Sequence, residues 1–540
     1  MAGGSGIYSG KQIGIVHMFF LTSNELDNAL EAINYHGFST MIPPPPEWGV
    51  VNDNWLAIKG AIEKIDLDTY DPILPLKIFG PKSRANIRIM HMLHPQDLLI
   101  YTALVLIAKD DIERNRIPTG AKRVFSYRVD AGCPKKIYGT KSSHEKYREQ
   151  LDIKSQARAV KFVGIADIAD FYPRIYQHRL ENVIESVARS QRTRDVARVL
   201  VRKLIASLMG GNSYGIPVGP YASRLLGEAV LIDVDAALQN HRVNFVRWVD
   251  DYNIFCSSEY DCQSALFALG ESLYNKHGLT LQSAKTKILP VQSYRSDVLL
   301  RYAEKLTGRD AVVSMLRGLS VGYDPTDEME PLDETSIQEA LAVLQSTDLR
   351  EMLETSLSDT ALVDFEAVVY ALKKLPRIPG VPISLKRSIL DLVVDNARLL
   401  YPVAEQLAKY VLSFPTLTRA ERNRIAVKLL RPLKSKFNVP PDYYAMWVLH
   451  VFASSSDWSH AGDIASLYAS STSEVVKRYA TLAISSCGTR AEAVGIKDAY
   501  VGASPLHRLG ILFASRKLGG DERKHWRQSI SVKGIIEKLV

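Results

Sequence analysis

The chain has 540 residues, with 67 Lys and Arg against 59 Asp and Glu, a formal charge of +8, a hydrophobic fraction of 46% and a charged fraction of 23%. Those proportions exclude a disordered, fibrous or disulfide-framework chain, and the length allows a large core and two or three domains. Cys133, Cys256, Cys262 and Cys487 form no CxxC pair and no metal-ligand spacing, which predicts a reduced cytoplasmic chain without disulfides. The start, Met1 to Gly4, has no signal-peptide architecture, and the apolar run from Ile13 to Leu21 contains His17 and is too short to span a membrane.

In chain order, Asn24 to Ile33 reads as a helix, and Pro43 to Pro46 as a stiff turn. From Lys82 to Lys161 there are 17 basic and 8 acidic residues, a balance of +9 (17 minus 8) that accounts for the whole excess of the chain. Such a segment predicts phosphate contacts rather than a merely solvated face. Within it stand Arg88, whose bidentate fork suits a phosphate group, and Lys82 and Arg84; for these two and the preceding Lys77 surface positions on a β-ribbon are the alternative. Leu98 to Ala108 is apolar nearly all round and should be a buried helix.

Val163 to Ala166 is a short apolar run ending in Asp167, and an aspartate closing a buried strand is costly unless paired or metal-bound. Thr193 opens a helical pattern, and Gly215-Ile216-Pro217-Val218-Gly219-Pro220 is a glycine–proline loop. It runs into a helix that buries Ala222, Leu225, Leu226, Ala229 and Ile232 and should expose Ser223 and Arg224. Phe245 to Cys256 then sets two β-rich runs around the adjacent pair Asp250-Asp251, a tight hairpin whose like charges repel unless a cation lies against them. A solvated acidic turn is the alternative. Asp167 precedes Asp250 by 83 residues (250 minus 167). If the two strands are neighbours, three carboxylates converge, as two-metal nucleotidyl transfer requires.

Gln263 to Lys276 reads as a helix and Ala284 to Leu289 as the approach to a last strand carrying Lys285. Residues 324–334 hold six acids, two prolines and no base, which marks a linker or exposed loop. Beyond it the pattern is helical: Ile337/Ala340/Leu341/Leu344, Leu362/Phe365/Val369/Leu372, Leu385/Ile389/Leu392/Val393 and Val403/Leu407/Val411. Stacked amphipathic pairs of α-solenoid type fit this run. The stretch from Arg508 to Lys538 has eight basic and three acidic residues, and its Trp526 suits either base stacking or a core.

The ordered set Asp167-Ile168-x-x-Phe171-Tyr172, Gly215-Ile216-Pro217-x-Gly219-Pro220-x-x-Ser223-Arg224 and Asp250-Asp251 resembles the palm of a reverse transcriptase. With Val218 in its loop it is similar to the bacterial abortive-infection and defence-associated group. The resemblance spans about residues 75–290. It implies an α/β right-hand polymerase core at 1–323, with fingers at about 76–161 and palm at about 162–322. An acidic linker at 324–334 and an all-α, HEAT-like repeat domain at 335–540 in place of a thumb would follow.

It also implies roles. Asp167, Asp250, Asp251 and the backbone of Ile168 would hold two Mg²⁺ ions, for which Mn²⁺ can substitute. Lys285 would protonate leaving pyrophosphate, a strand-edge lysine being the alternative. Arg88, with Lys77 and Arg84, would bind the dNTP together with Phe171, Gly219 and the backbone of Asp170. Tyr172 would exclude a 2′-hydroxyl. Pro217, Ser223 and Arg224 would face template and primer. The implied synthesis is RNA-directed or template-independent, and the implied partners are an RNA template and/or a DNA product, dNTPs, further copies of the chain through the helical domain, and a non-coding RNA or accessory protein, but no membrane. The implied setting is anti-phage defence in a bacterial cytoplasm. A retron-type enzyme is the alternative, although the Asn-Ala-x-x-His and Val-Thr-Gly signatures of that group are missing. An RNA-dependent RNA polymerase would need a residue at 172 that welcomes a 2′-hydroxyl. A binding scaffold with an inactive palm would have little reason to keep three buried carboxylates.

Overall fold

The computed structural model describes residues 18–39, 41–83, 86–139, 144–299, 338, 341–342, 349–358, 365–414, 416–435 and 441–540. Arg84, the acidic run at 324–334 and the predicted helical positions 337, 340, 344 and 362 lie outside them. Helix α1 (Ser23–His36) opens with Thr22 and Glu25 in a reciprocal capping box and buries Leu26, Ala29, Ala32 and Ile33 at helical spacing. Helix α2 (Glu47–Asp53) follows the proline run. Strands β1 (Leu76–Ser83) and β2 (Asn86–Met92) pair antiparallel, with Ile78 opposite Met90 and Gly80 opposite Arg88. Helix α3 (Pro95–Asn115) is capped by His94 and extends beyond the predicted Leu98 to Ala108 at both ends. It is buried on nearly every side, as its unbroken apolar run predicts.

The second sheet is antiparallel throughout, in the order β4-β5-β3-β6. Its strands are β3 (Phe162–Asp167), β4 (Phe245–Trp248), β5 (Asp251–Cys256) and β6 (Lys287–Pro290). Among the helices of this part are α4 (Ala222–Val230), α5 (Ile232–Asn240) and α6 (Glu259–His277). Gly164 and Ile254 are register partners, and a Cβ at Gly164 would lie 3.4 Å from Leu266 of α6, so these positions face α6. Alternation along the strands then sends Asp167 and Asp251, also register partners, to the opposite face.

From Leu349 onward the described residues are helical and carry no strand. Helices α7 (Asp442–Ala453) and α8 (Glu474–Cys487) both pack against β1. A Cβ on Gly80 would lie 3.1 Å from the Tyr443 ring. Glu47 of α2 and Arg478 of α8 form a bidentate, fully buried ion pair at 2.8 and 3.0 Å. The C-terminal helices are therefore docked on the β1–β2 hairpin and on α2.

Part of the charge in the basic segments serves the fold rather than an open face. Lys109, Arg116 and Arg128 of the basic stretch are buried, and Lys109 donates to the carbonyls of Asp130 and Lys136. Near the C-terminus, Arg508, Arg516, Arg523 and Arg527 donate to the carbonyls of Tyr500, Val540, Val540 and Glu537 in turn. Trp526 is buried edge-on to Tyr500 and belongs to the core. These cations serve as donors to loop and helix-end carbonyls, Lys109, Arg116 and Arg128 from buried positions and the C-terminal arginines from the surface or half-buried positions. The four cysteines are free, and among the described residues no helix is long and apolar enough to cross a membrane.

Removing one partner of the Glu47–Arg478 pair strands a charge in the core. Arg478→Met should cost about 3–5 kcal/mol in chemical denaturation, and adding Glu47→Gln should recover part of that loss. A double variant no more stable than Arg478→Met would show that the pair is not what holds α2 to α8.

Candidate active site

The site begins at the sharp turn between β4 and β5. Trp248 pairs with Asp251, so the two turn residues are Val249 and Asp250 and not the two aspartates. Asp251 is the first residue of β5. Val249 has φ +51, a region that a β-branched residue occupies only under strain. Both of its backbone polar groups are clamped. Its N–H donates to the buried Ser126 hydroxyl at 2.9 Å, and its carbonyl accepts from Arg247 Nη1 at 2.9 Å.

Arg247 is itself wholly buried. It donates to both carboxylate oxygens of Asp235 at 3.0 and 2.6 Å and lies 3.0 Å from Glu228. Arg116 reaches the same Glu228 carboxylate at 2.7 Å. Burial alone would raise the Glu228 pKa, but Arg247 and Arg116 hold it below the ordinary carboxylate value. The turn is also tied to β3, because Ile168 N–H donates to the Asp250 carbonyl at 3.2 Å.

Asp167, Asp250 and Asp251 each bring a carboxylate oxygen to within 4.8 Å of the others. Asp167 is buried, Asp250 half-buried and Asp251 open to solvent on one side. Burial pushes the Asp250 carboxyl up to about 6, with the charge of Asp167 adding to it. The Asp251 carboxyl is pushed up by the protein packed round it and then by Asp250 and Asp167. Three mutually repelling carboxylates with no soft donor among them fit a hard divalent cation such as Mg²⁺ or Mn²⁺. Lys285 Nζ is 3.0 Å from Asp167 Oδ1. Partial burial opposes its charge, and Asp167 outweighs that, so its pKa lies above the ordinary lysine value.

The hairpin supplies further cations. Arg88 is near enough for its charge to lower the Asp250 pKa, and its Nη1 lies 3.3 Å from Met41 Sδ. Lys82 reaches Asp170 at 3.4 Å. Asp170 has φ +45 and an exposed side chain that also approaches Arg174 at 3.9 Å, so the carboxylate and not only the backbone is engaged. Lys77 is exposed on β1 opposite His91, and the described contacts do not bring it to the carboxylates.

Phe171 is core, and Tyr172 is half-buried beside it. A Cβ on Gly227 would meet both rings, at 3.2 Å (Phe171) and 3.1 Å (Tyr172). Asp250 is among the charges acting on the Tyr172 hydroxyl. Gly219 has φ +134, and a side chain there would meet the His91 carbonyl at 3.1 Å. Its loop is zipped to β2 by His91 N–H donating to Val218 O at 2.7 Å and Val218 N–H donating to His91 Nδ1 at 3.2 Å.

The expected exposure of Ser223 and Arg224 is overturned. Ser223 is buried with its Oγ 2.8 Å from the Tyr101 hydroxyl. The Arg224 guanidinium lies over the rings of Tyr221 (4.5 Å) and Tyr127 (5.0 Å). Pro217 is buried too. The reason is that α4 is enclosed by two helices, α3 and the helix at Gln177–Val187, so its periodicity marked one buried face where there are two. Sequence reasoning missed Arg247, Glu228, Asp235, Arg116 and Ser126. A signal was present in Arg247, which stands between Val246 and Trp248 in a strand with no polar face.

No protein-family model matches the chain, and no curated protein matches it in sequence. Among solved structures, telomerase from Candida albicans in complex with a fragment of telomeric RNA is similar over 69% of this chain and 69% of that one, at 11% identity and a TM-score of 0.30. A likeness that slight bears on neither mechanism nor substrate.

A carboxyl whose folded pKa is raised binds its proton more tightly in the native state, so stability falls as pH rises through the interval between the unfolded and folded values. For Asp250 that interval runs from the ordinary carboxylate range up to about 6. The metal-free protein should therefore lose more stability than Asp250→Asn between roughly pH 4 and pH 7, and Mg²⁺ should restore most of the difference. Parallel melting curves for the two proteins would count against the cluster as a cation site.

Proposed function

We propose that the chain is a nucleotidyltransferase of reverse-transcriptase type that adds dNTPs to a 3′-hydroxyl. The observation that carries this reading is the convergence of Asp167, Asp250 and Asp251 at the ends of two paired strands. Bound Mg²⁺ would lower the pKa of the attacking hydroxyl and offset charge on the triphosphate. The three aspartates would hold it, and the turn that carries Asp250 is already fixed by Ser126 and Arg247. Arg88 and Lys82 draw the triphosphate toward the carboxylates. Lys285, kept protonated by Asp167, gives its proton to leaving pyrophosphate. Tyr172 closes the space that a 2′-hydroxyl would need. Pro217, Ser223 and Arg224 act from beneath, by supporting the glycine loop, and not by touching a strand. RNA as template, and phage defence as setting, belong to this proposal through the motif resemblance alone.

Asp250→Asn and Asp251→Asn should each lower dNTP incorporation by at least about 100-fold, the scale of losing one charge-stabilising group at a phosphoryl transition state. Circular dichroism and melting should stay those of a folded protein. Wild-type rates in either variant would sink the assignment.

Tyr172→Val should raise use of ribonucleotides relative to deoxyribonucleotides by ~10–100-fold, corresponding to relief of a steric exclusion of ~1–3 kcal/mol. Competition between labelled rNTP and dNTP measures it. Discrimination equal to wild type would make Tyr172 a packing residue for Phe171 and Gly227 only.

A further inference from the structure

Helix α6 carries a feature that the catalytic reading does not use. Tyr260, Phe267 and Tyr274 are 74%, 80% and 65% exposed. They stand seven residues apart, and seven residues bring an α-helix back to within ~20° of its starting direction. The three rings therefore form one stripe about 21 Å long on the outer face of α6. The inner face is filled in the ordinary way by Cys262, Ala265, Leu269 and Leu273. An apolar stripe of this kind on an otherwise polar helix marks a contact surface.

The stripe is symmetric about its middle residue. Tyr260 lies seven positions before Phe267 and Tyr274 seven after it. The small residues Ser264 and Gly270 stand three before and three after, and the polar residues Gln263 and Glu271 four before and four after. A Cβ on Gly270 would meet only Leu281, at 3.9 Å, so its outer side is free for close approach. The charges are polar along the axis, with Glu259 and Asp261 in the first turn and Lys276 in the last. Lys276 is held only loosely within its own chain, 3.8 Å from Asp233.

Large, small and polar side chains spaced evenly about Phe267, with acids at one end of the helix and a lysine at the other, fit a second copy of the same helix laid antiparallel. We infer that α6 pairs antiparallel with α6 of a second copy of this chain across a two-fold axis at Phe267. Phe267 then meets the partner's Phe267, Tyr260 meets the partner's Tyr274, and Glu259 approaches the partner's Lys276. The isologous contact closes on itself, which is the commonest symmetry of homo-oligomers. Nucleic acid fits poorly, because the exposed ionic residues of α6 are Glu259, Asp261 and Glu271, with Lys276 half-exposed. This surface lies on the sheet side and not on the C-terminal helices, to which the sequence resemblance assigned self-association. Since α6 covers the face opposite Asp167 and Asp251, the two carboxylate clusters of the pair point outward and stay open. A single helix pair is a small interface, so affinity in the micromolar range is expected. None of this depends on the polymerase reading.

Sedimentation equilibrium of the full chain, from about 1 to about 100 µM, provides the first test. The wild-type mass should rise from 60.2 kDa toward twice that value, and Phe267→Glu, which sets two charges on the axis, should weaken association at least ~10-fold. Phe267→Cys should form a disulfide-linked dimer under mild oxidation in excess of wild type, whose four native cysteines set the background. Mixing Tyr260→Cys with Tyr274→Cys should cross-link more than either alone. The inference is overturned by a wild type that stays at single-chain mass throughout, by Phe267→Glu retaining the wild-type mass curve, or by Phe267→Cys giving only background. It is equally overturned if Phe267→Glu alters retention of nucleic acid or of another protein while the mass curve is unchanged.

Discussion

The buried guanidinium of Arg247 is the constraint on which the carboxylate cluster depends. It bridges Asp235 on α5 and Glu228 on α4 and ends on the carbonyl of Val249. Buried ion pairs contribute little net stability once desolvation is counted. What this one supplies is geometry. A valine at positive φ relaxes if its backbone is released, and Asp250 would move with it. Arg247 and Ser126 prevent this by holding both polar groups of that one residue. The clamp is assembled from α4, α5, the loop bearing Ser126 and the end of α3 through Arg116, so four separate parts of the chain meet under one turn.

The same logic extends outward. The glycine loop is hydrogen-bonded to β2, β2 carries Arg88, and β1 is backed by Tyr443 on α7. The helical region thus braces the hairpin. Helix α8, which packs against β1, is tied in turn to α2 by the buried Arg478–Glu47 pair. A brace of this kind explains how a two-stranded hairpin, marginal by itself, keeps its basic side chains in position.

Much of the site was legible because its residues break local rules. Adjacent aspartates at a hairpin tip and an aspartate closing an apolar strand are expensive choices, and they marked the cluster correctly. The long apolar run of α3 was equally plain. The turn was misjudged by one residue because nothing local tells that Val249 adopts a positive φ; the cause lies in Ser126 and Arg247, remote in sequence or reaching round by side chain. Ser223 and Arg224 were misread because a helix enclosed on two sides keeps a one-sided pattern when its second contact is polar, here Tyr101 to Ser223. Basic residues read as a phosphate-facing excess turned out in part to be carbonyl donors inside the fold, since charge counting registers sign but not depth.

The Glu47–Arg478 pair joins residues 431 positions apart. At a synthesis rate of ~5–20 residues per second, Arg478 emerges roughly 20–90 s after Glu47. All three aspartates, the clamp and both sheets are translated within that interval, before the helices that brace the hairpin exist. During translation α2 keeps an unpaired carboxylate and cannot bury it, and β1 lacks Tyr443 at its back. The nascent chain therefore carries a complete carboxylate cluster beside an unsupported hairpin, and the protein closes only when its last quarter folds back onto its first tenth.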